Sequence, residues 1–171
     1  MGIRSELARW LSGARKLVIM GVGNPMRRDD ALGLELVRAL RGRVPDQVVL
    51  LECGPVPENF LGHAIRAGPT HVLMVDAALI GGKPGQARLI GPEEAKGMTI
   101  STHKLPPRLL ADLIRRSTRA KVAILAVRPA DVGLGEGLSP EVQEAIARLA
   151  DLISEVLEDV FSRSGRGVPR A

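Results

Sequence analysis

Two adjacent carboxylates close a glycine loop in the stretch Gly21-Val22-Gly23-Asn24-Pro25-Met26-Arg27-Arg28-Asp29-Asp30-Ala31-Leu32-Gly33-Leu34. A loop of this build between an apolar strand and a helix commonly cradles phosphate through backbone amides and a lysine. Here acids stand where donors belong, and a phosphate beside them would meet repulsion. The dinucleotide pattern G-x-G-x-x-G also breaks, because Met26 occupies its third glycine position and the next glycine is Gly33. One aspartate at the start of a helix reads as an N-cap. Two in a row need only one cap, which leaves the other for chemistry. A further acid, Asp76, ends the apolar run Val72-Leu73-Met74-Val75, and His103 stands just before a predicted helix. Viewed singly, each reads equally well as a cap or a loop anchor. Taken together, two carboxylates and one imidazole suit a divalent ion such as zinc or nickel.

The elements that must position these groups follow from hydrophobic periodicity. Residues 4–13 read as a short amphipathic helix, and 16–22 as a nearly continuous apolar strand of the kind covered on both faces. Asp30 to Leu40 is predicted helical, with Leu32, Leu36 and Leu40 on one face and Gly42 as the stop. Strands are expected at 47–52, 70–76 and 121–127, with a weakly alternating edge strand at 87–90 after the turn Gly81 to Gly85. Helices are expected from Pro57 to about Gly68, from Leu105 or Pro106 through Ile114, and from Ser139-Pro140 to about Val160. Strands alternating with helices predict a three-layer α/β/α sandwich around a mainly parallel sheet, with a mixed sheet allowed by the edge strand. The pattern leaves strand order open. It predicts a single domain over residues 1–160 and a basic, flexible tail over 161–171. In such a sheet, sites form beyond the carboxyl ends of the strands, where the glycine loop, the Glu52–Glu58 segment and Asp76 all fall.

Composition narrows the function classes. The chain has 171 residues, 45% of them hydrophobic, and a formal net charge of +5 spread along its length. No basic stripe or nucleic-acid reading module is visible. With 2% aromatic residues and no tyrosine, stacking platforms for bases or sugars are not expected. A single cysteine, Cys53, excludes an internal disulfide framework and a cysteine-only metal cluster, and reads as a small buried side chain. His63 and His71 read as solvated or structural. No apolar run is long enough to span a bilayer, and the N-terminal residues lack the apolar core of a secretory signal, so a cytoplasmic location is expected.

The combination of the Gly21-Val22-Gly23-Asn24 loop with Asp29-Asp30 and Gly33, Val75-Asp76-Ala77, and a histidine before a helix resembles the maturation endopeptidases of nickel–iron hydrogenases. The resemblance covers about residues 16–160 and includes Arg128-Pro129 and Gly135-Glu136-Gly137-Leu138-Ser139-Pro140. It implies a protease that removes a short C-terminal extension from the hydrogenase large-subunit precursor after nickel insertion. It also implies that Asp30, Asp76 and His103 contact the nickel already held by that precursor and carry the catalytic site. On this reading no tightly held cofactor is expected, with zinc or another divalent ion as a surrogate for nickel. Gly23, Asn24 and Gly54 are the residues expected to meet the substrate, and the protein is expected to act as a monomer, with no nucleic-acid partner and no membrane insertion. Two positions depart from the family pattern: Ala31 stands where many relatives have glycine, and Gly54-Pro55 where some have glycine–threonine. Pro55 has neither a hydroxyl nor an amide hydrogen to offer a substrate.

Other chemistries find less support in the residues. No nucleophile turn surrounds Ser101 or Ser139, so a serine triad is not expected. Two aspartates sharing a proton would resemble an aspartic protease, and a histidine beside them suits ion binding better. The alternatives to proteolysis are a non-catalytic chaperone that checks the precursor for nickel and, on a similar sheet, a phosphorylase or nucleoside hydrolase.

Overall fold

A computed structural model describes residues 2–98, 100 and 105–164. Among the described residues, five α-helices flank one five-stranded sheet: α1 (Ile3–Trp10), α2 (Leu32–Leu40), α3 (Leu61–Arg66), α4 (Pro107–Thr118) and α5 (Pro140–Ser164), with β1 (Leu17–Val22), β2 (Val48–Gly54), β3 (His71–Ala77), β4 (Ala87–Ile90) and β5 (Lys121–Val127). The sheet order is β2-β1-β3-β5-β4. Four strands are parallel, and β4 closes the edge antiparallel to β5, pairing Ala87 with Val127 and Ile90 with Ile124. The sheet is therefore mixed and mainly parallel.

The unbroken apolar runs have a direct cause. In β1, Leu17 and Ile19 join a core with Leu36 and Leu40 of α2 and Ile146 and Ile153 of α5. Val18 and Met20 point the other way, into a core with Ala64 of α3 and Leu110 and Ile114 of α4. Every residue of β1 is buried, because period-two alternation sends successive side chains into two separate helix layers.

Several boundaries differ from expectation, three of them instructively. The predicted helix at Asp30 begins as a 3-10 turn over Arg28–Ala31, and regular α-helix starts only at Leu32. The Asp29 amide donates across the structure to the Asp131 carbonyl at 3.0 Å, which holds this segment to another loop. The second strand runs on to Gly54 with an irregularity that skips Cys53, since Gly21 pairs with Glu52 and Val22 with Gly54. The last helix continues to Ser164, so residues 161–164 of the expected tail are helical. Phe161 explains the extension: it is buried in the same core as Leu157. Residues 165–171 lie outside the described residues. No helix among the described residues is long and apolar enough to cross a membrane.

Candidate active site

Glycines let α2 press against the carboxyl ends of β1 and β3. A Cβ at Gly33 would lie 2.3 Å from the Val75 carbonyl oxygen and 2.4 Å from that of Val22. One at Gly21 would lie 2.4 Å from the Gly33 carbonyl oxygen. No side chain fits in these gaps, so the start of α2 sits directly on the two neighbouring strands. Gly21 pairs with Val75 across the ladder. Asp30, three residues before Gly33, and Asp76, one residue after Val75, consequently occupy the same sheet edge, and the 3-10 turn that carries Asp30 packs against β3.

The glycine loop is organised by its own polar groups. Gly23 takes a φ of 143°, and a Cβ there would fall 1.7 Å from the Asp30 carbonyl oxygen. Its amide donates to the Gly54 carbonyl at 2.9 Å, tying the loops after β1 and β2 together. The Asn24 amide donates to Asp30 Oδ2 at 2.9 Å, and Asn24 Oδ1 accepts from the Met26 amide at 2.9 Å. Asn24 thus closes the turn with its side chain and orients the Asp30 carboxylate with its backbone. Asp30 itself is 1% exposed, so its carboxylate sits at the floor of the edge rather than in bulk solvent.

The neighbouring acid has a different task. Asp29 is fully buried and accepts four hydrogen bonds from a loop a hundred residues away. Oδ2 accepts from the Ala130 amide at 2.8 Å, the Asp131 amide at 2.9 Å and the Ser139 hydroxyl at 2.8 Å, while Oδ1 accepts from the Ser139 amide at 2.7 Å. Neither aspartate caps α2 or the 3-10 turn with its side chain. The N-cap expectation is thereby corrected. The strand-like bridge between Arg27 and Gly135 reinforces the weld, with the Arg28 amide donating to the Gly135 carbonyl and the Gly135 amide to the Met26 carbonyl, both at 2.9 Å. Arg28 pays for this with a φ of 44°, a conformation that non-glycine residues seldom adopt outside functional segments. The role of Asp29 was not legible beforehand. The sequence signal for it was only the doubled acid, one member more than a cap requires.

Asp76 is half-buried and borders an apolar recess of about 20 Å³ with Val22, Met74, Leu105, Leu110 and Ile124. His103 lies outside the described residues. The chain two residues beyond it, at Leu105, forms part of the wall beside Asp76. A wider groove of about 480 Å³ opens on the other side of the glycine loop, between Pro25, Met26, Ala31, Glu35 and the segment from Glu136 to Leu138. Among the described residues, no three histidine, cysteine, aspartate or glutamate side chains gather as a metal-holding group.

The remaining reactive groups are accounted for by packing. Burial pushes the Cys53 thiol up to about 12, so it is protonated at neutral pH and unsuited to attack. His71 is 3% exposed, stands edge-on to Trp10 with ring centres 5.1 Å apart, and shares a 3.0 Å hydrogen bond between Nδ1 and Thr70 Oγ1. His63 is exposed on α3 beside Phe60.

A family model described as hydrogenase maturation protease, HycI, matches residues 34–156. The chain belongs to the hydrogenase maturation protease family. Within that family it is 35% identical to the nickel–iron hydrogenase maturation protease HycI of Thermococcus kodakarensis KOD1, whose crystal structure superposes with a TM-score of 0.82 over 90% of this chain and 99% of that one. It is 29% identical over 130 residues to the hydrogenase 3 maturation protease of Escherichia coli K12, covering 75% of this chain and 83% of that protein. Over 167 residues it is 29% identical to the hydrogenase 2 maturation protease of the same organism, covering 91% and 96%. The family match embraces Asp76 and the position of His103, and Asp30 stands four residues ahead of it.

Proposed function

We propose that this protein is an endopeptidase that removes the C-terminal extension of a nickel–iron hydrogenase large-subunit precursor once nickel has been inserted. The observation that carries the reading is the placement of Asp30 and Asp76 on one sheet edge, by glycine contacts that admit no side chain, in a member of the hydrogenase maturation protease family. In this proposal Asp30, Asp76 and His103 face the nickel of the precursor, which is part of the substrate. Two carboxylates and an imidazole are donors that suit such an ion and leave coordination positions for the precursor's own ligands. The scissile bond then lies beside the carboxylates, one of which takes a proton from the attacking water as the C–O bond forms and passes it to the departing amine as the C–N bond breaks. The hydrogen bond from the Asn24 amide fixes the Asp30 carboxylate for this task. Gly23 and Gly54, already joined by a backbone hydrogen bond, form the wall along which the substrate backbone passes.

The test is mass analysis of the precursor, with and without nickel, after incubation with metal-free enzyme. Nickel-loaded precursor should be shortened and nickel-free precursor should stay whole at high enzyme concentration. Equal cleavage of both would remove nickel from recognition. Tight binding of the loaded precursor without cleavage would replace the peptidase with a nickel-checking chaperone. His103→Ala should abolish processing while leaving the urea midpoint unchanged, and full cleavage by that folded variant would reject the role given to His103.

A further inference from the structure

Large apolar side chains left in solvent are ordinary when scattered and informative when they share one place. Among the described residues five are exposed: Met26 at 56%, Val56 at 39%, Leu79 at 57%, Leu109 at 45% and Leu134 at 83%. Each one lies at the carboxyl edge of the parallel strands. Met26 follows β1, Val56 follows β2, Leu79 follows β3 and Leu134 follows β5. Leu109 is in the first turn of α4, the end of that helix whose Leu110 lines the recess beside Asp76. The connections at the opposite edge, around residues 14–16, 41–47, 67–70 and 119–120, carry no such side chain.

The supports of this ring are rigid. Leu134 is adjacent to Gly135, which is bonded to the glycine loop from both of its backbone groups, and Asp29 anchors the same loop at Ala130, Asp131 and Ser139. The Leu79 amide donates to the Met98 carbonyl at 2.9 Å. Leu134 and Leu79 are thus carried on hydrogen-bonded backbone at the edge of the site, a form suited to docking on a preformed surface.

We infer that Met26, Val56, Leu79, Leu109 and Leu134 form an apolar docking ring for the folded body of the large-subunit precursor, around the root of its C-terminal extension. The inference rests on the proposed function for the identity of the partner. Its physical basis is continuity with the site. An extension that reaches Asp30 and Asp76 must leave the body of the precursor directly above this edge, so that body covers the ring. The ring holds the precursor as a whole, whereas Asp30 and Asp76 act on the bond being cut. Truncating it therefore weakens binding and spares the chemical step, which separates KM from kcat.

The experiment uses the full chain with Leu134→Ala, Leu79→Ala, the double variant, and Gln47→Ala at the opposite edge as a control. Nickel-loaded precursor is the probe, and Kd by surface immobilisation is measured alongside KM and kcat. The double variant should raise Kd and KM by about tenfold or more, as loss of central apolar anchors does in protein interfaces, with kcat and Tm unchanged and Gln47→Ala silent. Unchanged Kd and KM in the double variant would overturn the ring. So would a fall in kcat alone, or a dimer of this chain in sedimentation that Leu134→Ala dissolves. Binding without cleavage by the unaltered protein would sink the peptidase reading while the Kd comparison still decides the ring. Failure of the unaltered protein to bind the precursor would overturn both.

Discussion

Replacing Asp29 separates its structural work from the chemistry of Asp30. In Asp29→Ala, the amides of Ala130, Asp131 and Ser139 and the Ser139 hydroxyl lose their acceptor at once. Hydrogen bonds to a charged group contribute about 1.5–3 kcal/mol each, so simple addition would overshoot. Ala130 and Asp131 are exposed residues whose amides can turn to water, and Ser139 is half-buried. The net loss should therefore resemble that of breaking one buried charged network, roughly 3–5 kcal/mol. Asp29→Asn provides the finer test. Oδ2 receives three donors and Oδ1 one. An asparagine would place its oxygen at the Oδ2 position and its NH2 against the Ser139 amide, losing one bond and adding one donor clash. That should cost about 1–2 kcal/mol. Urea unfolding followed by far-ultraviolet circular dichroism would measure both, with the slope m unchanged. At about 2–4 °C per kcal/mol for a domain of this size, the alanine variant should lose roughly 6–20 °C in Tm. An alanine variant within 1 kcal/mol of the unaltered protein, or an asparagine variant as damaged as alanine, would refute the anchoring role.

Other outcomes follow from the same structure. Gly23→Ala forces a Cβ to within 1.7 Å of the Asp30 carbonyl oxygen at a φ of 143°, so the backbone must move; a loss of about 3 kcal/mol or more is expected in urea unfolding, and a variant of unaltered stability would contradict the geometry. Burial, then the charge of Lys121, lowers the His71 pKa below its ordinary value of 6.5, so the unfolded chain takes up the proton first. Stability should be complete above that value and decline as pH falls through it toward the lower folded value. Denaturation midpoints collected from pH 7.5 to 5 should show this decline, flattened in His71→Phe; an equal decline in both would assign it elsewhere. Cys53, with its thiol pushed up to about 12 by burial, should resist iodoacetamide at pH 8 in the folded protein and react readily in urea; rapid labelling of the folded form would contradict its burial.

The alternation of strands and helices was legible from the sequence because each element carries its own periodicity. Lys16 to Val22 reads as a doubly covered strand, and β1 is buried throughout. The stripe Val142, Ile146, Leu149, Ile153 and Leu157 reads as the inner face of a long helix, and all five side chains lie in the core. Even the weak alternation of Ala87 to Ile90 marked a true edge strand. These are local properties, set by spacing along the chain and by which side of an element meets water. Strand order was not legible, because every parallel crossover has much the same pattern whichever neighbour it reaches. The division of labour between Asp29 and Asp30 was likewise hidden. Two identical side chains in succession differ only in what the fold brings to them: for Asp29, the donors of Ala130, Asp131 and Ser139, and for Asp30, the amide of Asn24. The sequence could nominate the glycine loop and Asp76 from their chemistry. Only tertiary contact, through gaps at Gly21, Gly23 and Gly33 too narrow for a Cβ, decided that the loop presses on β3 and carries its second acid to the edge where Asp76 stands.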